Sequence, residues 1–209
     1  MFDNAIVFLD WLGIVVFSLT GALVASRNQM DIIGFVLLGT VTGIGGGTIR
    51  DLLLDTHPIL WIEQPAYVLV CAAVSILAFF TAHLAQSRAR LILWLDAAGL
   101  ALFASTGAER ALSAGAAPVV AVIMGMITAC FGGIIRDSLG QERSIIFSYE
   151  IYVTAALVSA AAFVVSNAVG MNRELGVTVA FILGFLLRGG AIHSGWSLPR
   201  YHARPPRTA

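Results

Sequence analysis

The sequence contains no lysine; all twelve of its basic residues are arginine. That excludes Schiff-base chemistry and a Walker-type phosphate loop, both of which require Lys. Charge of either sign is scarce. Only 11% of residues are charged, twelve acids balance twelve bases, and a soluble domain is nearer a quarter charged. A net charge of zero gives no reason to expect a nucleic-acid partner. There are two cysteines, Cys71 and Cys130, both in apolar runs. They have neither metal-ligand spacing nor a disulfide framework and read as buried thiols. His57, His83, His193 and His202 are scattered without metal spacing. No Ser-His-Asp set or His-Glu-x-x-His motif is present, and "GIGGGT" lacks the third glycine and the strand–turn–helix setting of a dinucleotide fingerprint. Neither catalysis nor a cofactor is expected.

What is abundant is apolar side chain, at 58% of residues and a mean hydropathy of +0.89. A bilayer as solvent accounts for this. Its hydrocarbon core, about 30 Å thick, takes about 20 apolar residues of helix, and seven such runs occur at approximately 5–25, 31–54, 65–85, 91–112, 117–139, 149–168 and 174–192. The fold class expected is an all-α integral membrane protein with seven transmembrane helices. Short connections such as "SRNQMD", "AQSRAR" and "SAGAAP" carry the turn and charge signals. "MFDNAIVFLDWLG" lacks a basic segment and carries Asp3 and Asp10, so the first run reads as a retained span rather than a signal peptide. The Pro- and Arg-rich tail "GWSLPRYHARPPRTA" is expected to be loosely ordered.

The chain repeats itself. Shifted by 86 residues, 10–53 aligns on 96–139 without gaps, with sixteen of 44 positions identical. These include Asp10/Asp96, Thr20/Thr106, Thr42/Thr128, Gly46/Gly132, Gly47/Gly133, Arg50/Arg136 and Asp51/Asp137. Shared apolarity would not place Asp, Arg, Thr and glycines in one register. Spans one to three thus correspond to four to six. Three is odd, so the second unit enters the membrane from the opposite side, forming an inverted repeat. The division is 1–90 for the first three-helix repeat, 91–170 for the second, 171–195 for a seventh helix and 196–209 for a tail. Setting Arg50 and Arg136 aside, one side of the membrane carries Arg27, Arg88, Arg90, Arg143, Arg188, Arg200, Arg204 and Arg207, and the other only Arg110 and Arg173. The Arg-rich side reads as cytoplasmic, with the N-terminus outside and the C-terminus inside.

The repeated phrase, "GIGGGTIRD" at 43–51 and "GGIIRD" at 132–137, breaks the oily pattern. Glycine inside a helix costs about 1 kcal/mol relative to Ala, and three in a row predict a kink or an unwound turn. Unwound backbone in a membrane must face protein or water. Arg and Asp at membrane depth likewise face partners or water. Residues at i and i+1 diverge on a helix, so Arg50 and Asp51 read as poor partners for each other. Inverted symmetry instead suggests pairing across the motifs, with Arg50 near the second and Arg136 near the first. A purely structural reading is also open: Gly13, Gly21, Gly39, Gly99, Gly107 and Gly125 suit close helix packing, and an Arg-Asp pair at a helix end can snorkel. Its recurrence in register favours a functional pathway. Asp10 and Asp96 read as residues favouring a helix N-terminus or lining a vestibule. Thr20, Thr42, Thr106 and Thr128 read as back-bonded to their helices, with Thr42, Thr48 and Thr128 candidate lining residues. Glu109 reads as a solvated group, and Trp11, Trp61, Trp94 and Trp196 as an aromatic belt.

Two three-helix repeats with a Gly-Gly-x-x-Arg-Asp phrase in each, followed by a seventh helix, resemble the bacterial branch of the trimeric intracellular cation (TRIC) channels, an inner-membrane family that also carries a "glycine transporter" domain label. The resemblance rests on "DWLGIVVFSLTGALVA", "DIIGFVLLGTVTGIGGGTIRDLLL", Pro65 with Tyr67, "FGGIIRDSL" and Trp196–Pro199, and covers almost the whole chain. It implies a homotrimer in the bacterial inner membrane with a pore in each subunit. Spans two and five would line that pore, and K+ or Na+ would be the permeant ion. Gly45, Gly46, Gly47, Gly132 and Gly133 would be kink residues, and Arg50, Asp51, Arg136 and Asp137 the polar residues near the pore. The animal channels carry a Lys-Glu pair near the second motif, tied to phosphoinositide and gating; here Cys130 and Phe131 precede Gly132, so that control does not carry over. The expectation is a potassium-permeable channel. A secondary transporter of a small amino acid such as glycine is the alternative, and an assembly protein without transport a third class. Arg50 and Arg136 would be either neutralised by carboxylates or movable plugs.

Overall fold

A computed structural model describes residues 3–84, 87–141 and 151–198. Eight α-helices account for most of them: α1 (Asp3–Arg27), α2 (Ile32–Leu53), α3 (Leu60–Glu63), α4 (Ala66–Thr81), α5 (Arg88–Ser113), α6 (Pro118–Leu139), α7 (Val153–Ala168) and α8 (Arg173–Ser194). Their ends follow local chemistry. The carboxylate of Asp31 accepts from the Gly34 amide at 2.8 Å and caps α2, Pro118 stands in the first turn of α6, and Gly195 closes α8 with φ +67°. Six helices are long and apolar enough to cross a bilayer. The seventh, α7, has sixteen residues and spans about 24 Å at 1.5 Å per residue. The expected spans match to within a few residues, except that the sixth helix begins at Val153; 149–150 lie outside the described residues. So do Arg143, Arg200, Arg204, Arg207, Pro199 and the rest of the tail, and nothing is described of the Arg88 side chain. The connection after α2 adds the short α3.

The fold is all-α with seven membrane helices: two three-helix units, α1–α2–α4 and α5–α6–α7, and α8 packed on α5 and α7. The units meet through α1 against α5 and α2 against α6, and equivalent residues face each other there. Phe17 and Phe103 stack edge to face, centroids 5.0 Å apart. The Phe103 ring lies over Gly13 and the Phe17 ring over Gly99. A side chain on either glycine would displace the other unit's ring. Gly21, Gly39, Gly107 and Gly125 are also in tight contact, so all six glycines assigned to packing pack closely. Buried hydroxyls stitch the helices together: Ser159 donates to the Ala180 carbonyl at 2.9 Å, and Ser18 to that of Cys71 at 3.1 Å. Both cysteines are buried free thiols. α5 lies nearest the middle and is the most deeply buried of the six long apolar helices.

Candidate functional site

α2 and α6 run as continuous helices through their glycines; the expected unwound turn is absent. Close crossing explains the glycines better. A Cβ on Gly46 would collide with the Thr128 carbonyl of α6, and one on Gly132 would lie 2.5 Å from the Thr42 carbonyl of α2. Gly45 faces Ile135, and Gly133 faces the Tyr152 hydroxyl. Gly47 is different, with only the Arg50 guanidinium within 4 Å. The two motifs therefore meet through backbone and small residues, which lets two helices approach without freeing a carbonyl.

The charged residues do not cross. Arg50 donates from Nε (2.9 Å) and Nη2 (2.6 Å) to the Asp51 carboxylate, and Arg136 donates from Nε to Asp137 at 2.9 Å. The expectation that neighbours are poor partners is overturned. Adjacent Cβ atoms diverge, but the long Arg side chain curls back along its own helix. Burial to 3% exposure or less for both arginines makes a partner obligatory. Cross-motif pairing is likewise replaced: Arg136 Nη1 reaches Asp96 at 2.7 Å and the Thr20 hydroxyl of the first unit at 3.1 Å. Asp10 and Asp96 are ion-pair partners rather than helix-end residues. Asp10 is 3% exposed and binds Arg110. Glu109, expected to be solvated, is 3% exposed and holds Arg173 and the Ser113 hydroxyl.

Two adjoining cavities open beside Arg50. The outer, about 430 Å³, is a vestibule rimmed by Arg50, Asp51, Glu63, Glu109, Arg110 and Arg173. The inner, about 30 Å³, is lined by Asp10, Arg50, Asp51, Thr48, Trp61 and Thr128 among others, and a cavity of roughly 10–15 Å³ already admits a water. They share Arg50, Asp51 and Leu60. α3 forms part of the wall: its Leu60 amide donates to Asp51 at 3.2 Å and the Trp61 indole to Thr48 at 3.0 Å. Thr48 and Thr128 thus line the inner cavity. Thr42 does not; its hydroxyl bonds back to Leu38 at 2.6 Å. Thr20 and Thr128 also bond back along their helices, whereas the Thr106 hydroxyl is buried with no partner among the described residues. Trp61, Tyr67, Phe103 and Arg110 are wall residues that sequence reasoning missed; the break in the repeat at Arg110, where Val24 stands in the first unit, was the available signal. The second motif is shut, with Arg136 and Asp96 side chains both at 0% exposure.

Comparison with known proteins gives the family. The family described as Glycine transporter matches residues 7–83 and again 93–168. The solved TRIC trimeric intracellular cation channel orthologue from Rhodobacter sphaeroides is 57% identical, with TM-score 0.90 over 91% of this chain and 98% of that one. This chain belongs to the TRIC family. A second solved TRIC cation channel is 32% identical, with TM-score 0.84 over 95% of this chain and 98% of the other. The UPF0126 inner membrane protein YadS of Escherichia coli K12 is 37% identical over 93% of this chain and 95% of its own length. The two solved TRIC relatives are channels rather than enzymes, and the likeness to them covers more than nine-tenths of the chain.

Proposed function

We propose that each subunit of this TRIC protein conducts monovalent cations, potassium foremost. The path enters the vestibule, passes Arg50 and Asp51, and follows the α2–α6 crossing towards Arg136. The observation that carries this reading is the charge lining the two cavities. Asp10, Asp51, Glu63 and Glu109 face Arg50, Arg110 and Arg173, an excess of one carboxylate, and Glu63 forms no ion pair among the described residues. Guanidiniums each held by a carboxylate do not repel an entering cation as bare ones would. The family name supports a homotrimer, with one pore in each subunit. YadS, an inner membrane protein, and the arginine distribution support the bacterial inner membrane, with the N-terminus outside and the vestibule facing that side.

The decisive experiment reconstitutes the purified protein in potassium-loaded liposomes and follows efflux with a potential-sensitive dye, beside uptake of labelled glycine. Rapid, potassium-dependent potential without glycine movement is expected. Saturable glycine uptake with no passive potassium leak would instead establish a transporter, with Arg50 and Arg136 as carboxylate ligands.

A further inference from the structure

The two charged motifs occupy equivalent places in the repeat but are in different states. Around Arg136, Nε holds Asp137 while Nη1 holds Asp96 and the Thr20 hydroxyl, and the cluster is closed to solvent. Subtracting or adding 86 gives the matching set in the other half: Arg50, Asp51, Asp10 and Thr106. There Arg50 spends Nε and Nη2 on Asp51, and Nη1 makes none of these bonds. Asp10 lines the same inner cavity and is bound to Arg110 instead. The Thr106 hydroxyl, the counterpart of the one Arg136 uses, is buried and has no hydrogen-bond partner among the described residues.

The cause of the difference is visible in the sequence. Arg110 occupies the position that Val24 holds in the first unit. Val24 is fully buried and carries no charge, so that position offers Arg136 no competitor for Asp96. On the vestibule side Arg110 competes with Arg50 for Asp10 and wins in this structure. We propose that Asp10 is exchanged between Arg110 and Arg50, and that this exchange opens and closes the vestibule half of the pathway. When Arg110 holds Asp10, the inner cavity stays open. When Arg50 turns Nη1 onto Asp10 and Thr106, keeping Asp51 through Nε, the half adopts the sealed arrangement seen at Arg136. Displaced Arg110 does not become a buried bare charge, because it borders the 430 Å³ vestibule and its side chain is already 27% exposed. Arg110 is thus a positioning residue. It touches no permeant ion in order to act, and sets which partner Asp10 takes.

The idea rests on the channel reading for its effect on flux but not for its geometry, so the test reads both. Gly47 lines the inner cavity with room for a side chain, and the native Cys71 and Cys130 are buried. Gly47→Cys therefore reports solvent access to that cavity through its rate of labelling by a membrane-impermeant cationic methanethiosulfonate. In this background Arg110→Val should slow labelling roughly tenfold or more, the scale of shift expected when a competitor for a buried carboxylate is removed. Adding Asp10→Asn should restore the rate. Removing a positive charge from the cavity mouth would by electrostatics alone speed a cationic reagent, so an unchanged or faster rate in Arg110→Val overturns the exchange. Arg110→Met, which keeps more of the side-chain volume, serves if the Val variant does not elute as a folded oligomer. Potassium efflux should fall in parallel with labelling. Wild-type liposomes that pass no potassium while labelling still responds as stated would refute the channel reading and leave the exchange standing. Full flux with an unresponsive label would do the reverse.

Discussion

Gly46 and Gly47 are neighbours in one motif with opposite tolerance for a methyl group. A Cβ on Gly46 runs into the Thr128 carbonyl, whereas one on Gly47 meets nothing closer than the Arg50 guanidinium at 3.8 Å. Backbone cannot yield as a flexible side chain can. Gly46→Ala is therefore expected to cost at least about 1–3 kcal/mol, the range for overpacked cores. Gly47→Ala should be neutral or stabilising by up to about 1 kcal/mol, because Ala is the better helix former. Thermal unfolding midpoints of the detergent-solubilised protein decide this, and equal midpoints for the two variants would refute it. The same scale explains why the Arg-Asp pairs were misread from spacing alone. The i,i+1 rule describes where side chains leave the helix, and Arg50 and Arg136 are long enough to return.

At the scale of elements, the short α3 matters most to the vestibule. It is only four residues long, and the bonds from Leu60 to Asp51 and from Trp61 to Thr48 tie it to α2. Neither bond was legible beforehand. "THPILWIEQP" reads as a connection, and Trp61 suits a membrane-interface aromatic as well as a cavity wall. Trp61→Phe keeps most of the ring and removes the indole donor, a loss of about 0.5–1.5 kcal/mol for one hydrogen bond. Amide hydrogen exchange across 59–64 should accelerate, with α4 and α5 unaffected. Unchanged exchange would mean that apolar packing alone holds α3 in place. α5 shows the opposite case: it bears the buried Asp96 and Glu109 and the partly exposed Arg110, and its ion pairs reach α6, α8 and α1.

For the whole molecule, the arginine distribution makes a testable statement about orientation. Arg50 apart, the N-terminal side carries only Arg110 and Arg173 among the described residues, held by Asp10 and Glu109, and it is the count of arginines on each side that sets the orientation. A single cysteine at Ala116, in the turn between α5 and α6, should react with an impermeant maleimide in intact spheroplasts. One at Gln29, in the turn between α1 and α2, should react only after permeabilisation. The opposite pattern would invert the orientation and place the vestibule towards the cytoplasm.

From sequence alone, composition and run length determined the seven membrane helices, and the 86-residue register determined the paired three-helix units. Both are periodic features summed over many residues, so no single contact could upset them. The register also singled out Arg50, Asp51, Arg136 and Asp137 as special. Tertiary structure alone decided what each of them binds. Helices that are apolar on most faces do not declare which face meets which neighbour, and a buried charge takes whichever partner packing brings within reach. That is why Thr20 serves Arg136 while its repeat mate Thr106 bonds to none of the described residues, and why Asp10, identical in the repeat to Asp96, is held by a different arginine.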